Sequence, residues 1–535
     1  MKHFDSLGIM IDCSRNAVMK PESVCRYIDI LAKLGYTTLQ LYTEDTYEVD
    51  GEPYFGYLRG RYTTEELQSI DAYAKEKGIE FIPCIQTLAH LNAIFRWAPY
   101  GGIKDWDDIL LIGDPRTYEL LDHIFASLRK SFTTKQVHLG MDEAYLVGLG
   151  KYRQINGIRE RFEIMAEHLA KVCEIAKKYG FEPMLWNDMF YHLSRDSGKS
   201  AQEIQALIPD QVKLVYWDYY SHSQAHYEEK IRENKAICPN VIFAGGAWCW
   251  GGFAPSNEFS IKATKAAFSA CIKEGVRSAF LTMWGDDGAE CSAFSVLPSL
   301  VWGACLAEDE NATIDMVRAK FKEAIGEDYD DFILLDMPNQ IGVEGASINN
   351  PAKYLVYSDP FSGHLDYTVD DNYAPHFEET SCKLSNAAKR SVNYRYLFET
   401  LATLCDYLSI KADLGKKTRA YYQSGNKEGL RDLAEHTYPL CIEKLEVFAQ
   451  LHFKQWMTDS KPHGFEVLDI RYGGMKERLR KCAERILAYL NGQVEEIPEL
   501  SAEILPFGRG AEGDSMHYNL WSYIASSNVI SHNCK

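Results

Sequence analysis

A closed (β/α)8 barrel followed by a mainly helical second domain is the architecture this sequence predicts, and three observations carry it. Over the first three-fifths of the 535 residues, short apolar runs alternate with amphipathic stretches, as strands and helices do in a parallel α/β domain. Eight such apolar runs can be counted. From about residue 330 the pattern changes to long helical periods with no strands between them.

The strands are expected at Leu7–Cys13, Thr38–Thr43, Glu80–Gln86, Gln136–Gly140, Glu182–Trp186, Lys213–Trp217, Val241–Gly245 and Ser278–Trp284. Helices fit between them. Pro21–Leu34 has proline in its first turn and Gly35 as a stop; Thr64–Lys77 is stopped by Gly78 and Ile158–Tyr179 by Gly180. Leu300–Ala324 follows the eighth strand. Eight βα units predict a TIM barrel. The competing architecture is an open doubly wound sheet, which should carry a glycine-rich phosphate loop after its first strand. That position reads Asp12-Cys13-Ser14-Arg15, without glycine. The catalytic barrel is therefore assigned to residues 1–329. Residues 330–535 are assigned to a helical domain packed on it, with a loop-like Ile341–Asp371, helical Phe377–Leu414, Lys427–Phe453 and Gly474–Leu490, and a turn-rich Ile504–Lys535.

Composition narrows the function. A formal net charge of −19 argues against nucleic acid or an anionic membrane as main partner, since both need a basic face. The opening Met1-Lys2-His3-Phe4-Asp5 lacks a signal-peptide core, and no stretch has the length of a membrane span. The fourteen cysteines are scattered with no Cys-x-x-Cys pair, which reads as reduced core thiols in a cytoplasmic protein.

Barrel enzymes place chemistry at the C-terminal ends of their strands. Here those ends read Asp12 and Arg15, Glu44-Asp45, His90, Asp142-Glu143, Trp186-Asn187-Asp188, Trp217-Asp218-Tyr219, Trp248-Cys249-Trp250 and Trp284-Gly285-Asp286-Asp287. Any one of these is explained by a capping acid or a packed aromatic. Their recurrence at nearly every strand end points to a sugar site, with carboxylates and Arg15 to grip hydroxyls and tryptophans such as Trp248 and Trp250 to stack.

The strongest motif is Val137-His138-Leu139-Gly140-Met141-Asp142-Glu143. Where the chain turns at a strand end, both carboxyls can face one pocket. One can then serve as a protonated acid and its neighbour as an ionised stabiliser of positive charge. Taken alone, the pair reads equally well as an N-cap plus a solvent-facing acid.

His-x-Gly-x-Asp-Glu on the fourth strand resembles the signature of glycoside hydrolase family 20, the β-N-acetylhexosaminidases, with Met141 where the family usually has glycine. Other similarities follow in order. Arg15 resembles the family arginine that holds the substrate 3- and 4-hydroxyls. Leu39–Asp45 is similar to the family's second strand, with Asp45 at the acidic position. Pro83–His90 keeps the proline and histidine of a Pro-x-Ile-Asp-x-Pro-Gly-His run but loses its Asp and Pro-Gly. Trp186, Trp217 and Trp284 match the tryptophans that box in the acetamido group, and Asp286 stands where a Glu binds the outer hydroxyls. The resemblance covers roughly residues 7–300. It is to the compact bacterial branch, without the N-terminal α/β domain of many members.

The resemblance implies an exo-acting, retaining hydrolysis of terminal β-linked GlcNAc or GalNAc, in which the substrate's own acetamido oxygen attacks the anomeric carbon. It implies Asp142 as the group orienting the acetamido and Glu143 as general acid and base. Tyr219 replaces the family's tyrosine donor, and His90, Asp45 and Glu143 form a relay. No metal or cofactor is implied. The expected partner is a small oligosaccharide or glycoconjugate ending in HexNAc, and homodimerisation is left open. The alternatives are a barrel glycosidase with a separate nucleophile, Asp188 or Asp286, a non-catalytic sugar-binding protein, and a metal-dependent barrel enzyme.

Overall fold

The computed structural model describes residues 3–342, 349–363, 365–505 and 520–528. The chain divides into two compact units: Met1–Ala247, Ser260–Met283 and Ser299–Ile325 form the first, and Trp248–Phe259, Trp284–Pro298 and Gly326–Lys535 the second. Two short segments thus leave the strand ends of one unit to join the other, an interleaving that a division at residue 329 does not express.

The first unit is a closed parallel barrel. Its strands are β1 (Ser6–Asp12), β2 (Thr38–Tyr42), β3 (Glu80–Cys84), β4 (Gln136–His138), β5 (Glu182–Trp186), β6 (Lys213–Trp217), β7 (Val241–Gly246) and β8 (Ser278–Met283). Each pairs with its sequence neighbours, and β1 closes the ring on β8. All eight lie where the apolar runs predict them. The period of two along each strand decides which side chains face inward. Met10 and Cys84 sit on non-adjacent strands, yet their sulfurs are 3.8 Å apart across the interior. Trp186 and Phe280 likewise meet across it, with ring centroids 5.9 Å apart. Outward-facing Phe81 packs instead on Phe132, at the end of the following helix, at 4.9 Å.

The helices start and stop for local reasons. Pro21–Leu34 has proline at its first position and ends at Gly35, whose φ of 79° lets its N–H reach back to Ala32 and Leu31. Thr64–Glu76 opens with a capping box between Thr63 and Glu66. Arg161–Lys178 begins three residues after the expected Ile158, because Glu160 caps the Phe162 and Glu163 amides.

β4 is the barrel strand that shapes the site. It stops at His138, two residues short of expectation, because Gly140 and Met141 turn left-handed with φ of 72° and 68°. Gly140 is required there: a Cβ would lie 2.2 Å from the Gln86 Oε1 and 2.6 Å from the Ile85 carbonyl oxygen.

The second unit is helical. Tyr373–Arg390 and Arg395–Lys411 form a hairpin interrupted at Ser391–Tyr394, where a continuous Phe377–Leu414 pattern is expected. Tyr438–Asp459 and Phe465–Leu490 follow. Within the expected loop Ile341–Asp371 lies a helix, Pro351–Tyr357. Its seven residues are all buried and too few to show a helical period in the sequence. Residues 343–348 and 364 of that loop, and 506–519 and 529–535 of the turn-rich tail, lie outside the described residues. No helix among the described residues is long and apolar enough to cross a membrane.

Candidate active site

The site of the first unit is assembled at the ends of β1 to β6. Beyond β1, Asp12 accepts hydrogen bonds from the Ser14 amide and hydroxyl at 2.8 and 2.7 Å. This tight turn presents Arg15, which ion-pairs with Glu44 beyond β2. Tyr42, two residues before Glu44, donates to the same carboxylate at 3.2 Å. Asp45 does not share this face. Its carboxylate pairs with Arg59 at 2.9 Å, and Arg59 also donates to the Ser14 carbonyl at 2.5 Å. Glu44 is therefore the acid that stands beside Arg15, while Asp45, expected in a relay with His90 and Glu143, pairs with Arg59.

Gln86, beyond β3, ties the neighbouring elements together. Its Nε2 donates to the Tyr42 hydroxyl at 2.8 Å and to Asp142 Oδ1 at 2.6 Å, and its Oε1 accepts the Met141 amide at 3.1 Å. The sequence shows Gln86 only as a lost aspartate. As an amide it can donate to one carboxylate while accepting from the turn that carries it, which an aspartate cannot do.

His90 is held in a left-handed conformation, φ 57°, with its amide on Asp108 at 3.0 Å. Its Nε2 lies 3.3 Å from Asp142 Oδ2 and 3.6 Å from Glu143 Oε2. The two carboxyls of the β4 motif thus flank one imidazole. They differ in access: the Asp142 side chain is 11% exposed and that of Glu143 47%.

These surroundings separate the titrations. Burial works to raise Asp142, but charged His90 and the Gln86 amide outweigh it and hold its carboxyl below the usual range. Burial raises Glu143, and the neighbouring Asp142 charge adds to it. Burial alone would lower His90; Asp142 and Glu44 overcome it and push the imidazole up to about 10. The pair can therefore hold an ionised Asp142 beside a carboxyl that keeps its proton to higher pH, the division of labour general acid catalysis needs.

Asp188, the first residue of helix Asp188–Ser197 after β5, accepts the Glu143 amide on Oδ2 at 2.9 Å. Burial and then the Asp142 charge push it up to about 7. Trp186 is fully buried, its ring 4.3 Å from that of His138. Half-buried Trp217 stacks on Tyr219 at 5.4 Å and 21°. Asp218 turns aside to His226 at 2.7 Å and Tyr216 at 2.9 Å.

Four of the expected residues, Trp248, Trp250, Trp284 and Asp286, belong to the second unit. Within it, buried Trp248 and Trp250 stack at 3.7 Å. The Cys249 thiol donates to the Trp284 carbonyl at 3.4 Å, and the Gly251 amide to that of Asp286 at 3.4 Å. Glu44, Gln86, Arg59 and Asp108 enter the site without having been assigned a role from the sequence. For Glu44 a signal was present in its place beside Asp45 at the end of the second apolar run.

The family model for the glycosyl hydrolase family 20 catalytic domain matches residues 4–240, and that for the Glycoside Hydrolase 20C C-terminal domain matches 330–519. Hexosaminidase D of Homo sapiens is 21% identical over 233 residues, covering 42% of this chain and 47% of that protein. A beta-hexosaminidase of Vibrio furnissii is 28% identical over 178 residues, 26% of this chain and 29% of that protein. The chain thus spans about half the length of the human relative, and less of the bacterial one. Among solved structures, the exo beta-N-acetylglucosaminidase of Vibrio harveyi has a TM-score of 0.48 at 16% identity, covering 63% of this chain and 59% of that one. The chitobiase of Flavobacterium johnsoniae gives 0.47 at 15% identity over 94% of this chain and 74% of that one. With a catalytic-domain match over β1 to β6 of the barrel, a family-specific C-terminal match over residues 330–519 and the His-x-Gly-x-Asp-Glu turn at the end of β4, the chain belongs to glycoside hydrolase family 20.

Proposed function

We propose that this chain is an exo-acting β-N-acetylhexosaminidase that releases terminal β-linked GlcNAc or GalNAc with retention, using the substrate's acetamido oxygen as nucleophile. The observation that carries the reading is the split pair on the β4 turn: Asp142 buried and held ionised by His90 and Gln86, Glu143 accessible and raised. Asp142 orients the acetamido N–H and balances the positive charge of the oxazolinium ring as it closes. Glu143 protonates the departing glycosidic oxygen, then takes a proton from the water that opens the ring. Arg15, fixed by Glu44 and Ser14, offers two donors to adjacent sugar hydroxyls. Trp217 and Tyr219 form an aromatic wall on which the sugar or its acetamido group can rest.

A separate carboxylate nucleophile fits less well. Asp188 is buried, occupied with the Glu143 amide and raised to about 7, so near neutral pH much of it carries a proton and cannot attack.

The test is hydrolysis of aryl β-N-acetylglucosaminides beside the matching glucosides. The acetamido substrates should be cleaved and the glucosides not, and a thiazoline mimic of the oxazoline should inhibit tightly. Comparable rates on both classes would sink substrate assistance, and inactivity on both would sink the enzyme.

A further inference from the structure

The turn that carries the catalytic pair is strained. Gly140, Met141 and Glu143 all have left-handed φ, at 72°, 68° and 50°, and only the first is glycine. A non-glycine residue in this region costs about 1–2 kcal/mol, so something must hold Met141 and Glu143 there. Two side chains do so through the backbone. Gln86 accepts the Met141 amide at 3.1 Å, and Asp188 accepts the Glu143 amide at 2.9 Å. Gln86 also touches Asp142 directly, whereas Asp188 accepts from the backbone amide of Glu143. A neutral side chain would suffice for a merely structural clamp, yet the residue here is a carboxyl, nearly all buried, with one oxygen that has no hydrogen-bond partner. A buried oxygen left in that state costs stability, and such costs gather where function requires them.

We propose that Asp188 is a positioning residue for the catalytic pair: it locks the left-handed turn through the Glu143 amide and, by its charge, sets the upper pH limit at which Glu143 still carries its proton. This deepens the hexosaminidase reading and rests on it. The groups facing Asp188 are Asp142 and Glu143 from the β4 turn, Tyr145 two residues further on and the Trp217 indole from β6. Asp142 and Glu143 push the Asp188 carboxyl up, in the same direction as burial, while the Trp217 and Glu143 N–H groups pull it down. As pH rises through about 7, Asp188 gains a negative charge beside Glu143. A nearby negative charge raises a carboxylic acid, so Glu143 stays protonated further into the alkaline range.

Two variants separate the roles. Asp188→Asn keeps an oxygen to accept the Glu143 amide but cannot ionise. The alkaline limb of its kcat/KM profile should move to lower pH by about half a unit or more. Asp188→Ala removes the acceptor, so the turn can relax. Its kcat should fall about 10- to 100-fold, with KM within a few-fold of wild type, since misplacing a reacting group by 1 Å has that size of effect. Circular dichroism and a melting curve check that each variant is folded, and if the alanine variant is not, the asparagine profile decides. An unmoved alkaline limb in Asp188→Asn, or an unchanged kcat in folded Asp188→Ala, overturns the proposal while wild-type activity stands. A wild-type chain inactive on every N-acetylhexosaminide overturns both this and the proposed function.

Discussion

In the second unit, Lys353 and Arg471 stand against Asp287 and Glu290, while at the end of β4 in the first unit Arg15 and His90 stand among Glu44, Asp142, Glu143 and Asp188. Both clusters are largely buried. In the second, cations match carboxylates: Lys353 lies 2.9 Å from Asp287 and 2.8 Å from Glu290, and the Tyr357 hydroxyl donates to Glu290 at 2.7 Å. Burial works to raise Glu290, but Lys353 and Arg471 outweigh it and hold it low. In the first, carboxyls outnumber cations, so they divide: Asp142 is held low while Glu143 and Asp188 are raised. Matched charge makes a rigid joint. Unmatched charge leaves a proton that can be transferred.

The largest expected effect breaks the unmatched cluster. Glu143→Gln can neither give nor accept a proton, so the loss should depend on the leaving group. On a chitobiose-like substrate it should reach about 10²–10⁴-fold, and on an activated nitrophenyl glycoside far less. Asp142→Asn should slow both by similar factors, because ring closure accompanies departure of either leaving group. Leaving-group dependence in Asp142→Asn and not in Glu143→Gln would exchange the two roles.

The same operation on the matched cluster should change stability instead. Lys353→Met strands Glu290 and Asp287 with Arg471 alone, and breaking a buried pair costs about 3–5 kcal/mol. Denaturant unfolding measures it. A cost below about 1 kcal/mol would place this cluster with surface ion pairs, and the contrast would fail.

The barrel was legible because eight apolar runs and their helix stops are local patterns, and Asp142-Glu143 was legible as a motif. What stayed hidden depends on geometry that no local pattern encodes. Glu44 and Asp45 are adjacent, and only the chain's turn decides that the first meets Arg15 and the second Arg59. Gln86 looked like a missing acid because its value lies in donating and accepting at once, to partners 44, 55 and 56 residues away. The short helix Pro351–Tyr357 owes its form to burial rather than to a repeat.

Arg15→Ala probes the edge of the unmatched cluster. Under the proposed function the substitution removes the two donors to the sugar hydroxyls, and Glu44 loses its cation. The expected cost is about 1–3 kcal/mol in kcat/KM, appearing mainly in KM, with folding intact. A variant that unfolds readily but keeps wild-type kinetics per folded molecule would instead make the Arg15–Glu44 pair a structural joint like that of Lys353.

The smallest effect is the sharpest contrast, because its sign differs between the clusters. The Asp188 carboxyl titrates at about 7 in the folded chain, against 3.8 for an unperturbed aspartate. Between those values the unfolded chain has released a proton that the folded chain keeps, so rising pH removes stability there. Glu290 is held below its usual range, so its contribution is present above the pKa of the unfolded carboxyl and is lost as pH falls through the folded one. Asp188→Asn should therefore match wild type below about pH 4 and exceed it above about pH 7. Even a tenfold difference in proton affinity between folded and unfolded chains is worth about 1.4 kcal/mol, so the gain should be about 1 kcal/mol. Glu290→Gln should be weaker than wild type at neutral pH, with the gap narrowing in acid. Urea midpoints at about pH 5 and pH 8 read the sign for Asp188→Asn, and midpoints at about pH 3 and pH 7 read it for Glu290→Gln. If Asp188→Asn lost stability as pH rose in parallel with wild type, the buried carboxyl would not be the group that titrates, and the excess of acid at the β4 turn would have to be carried by Glu143 alone.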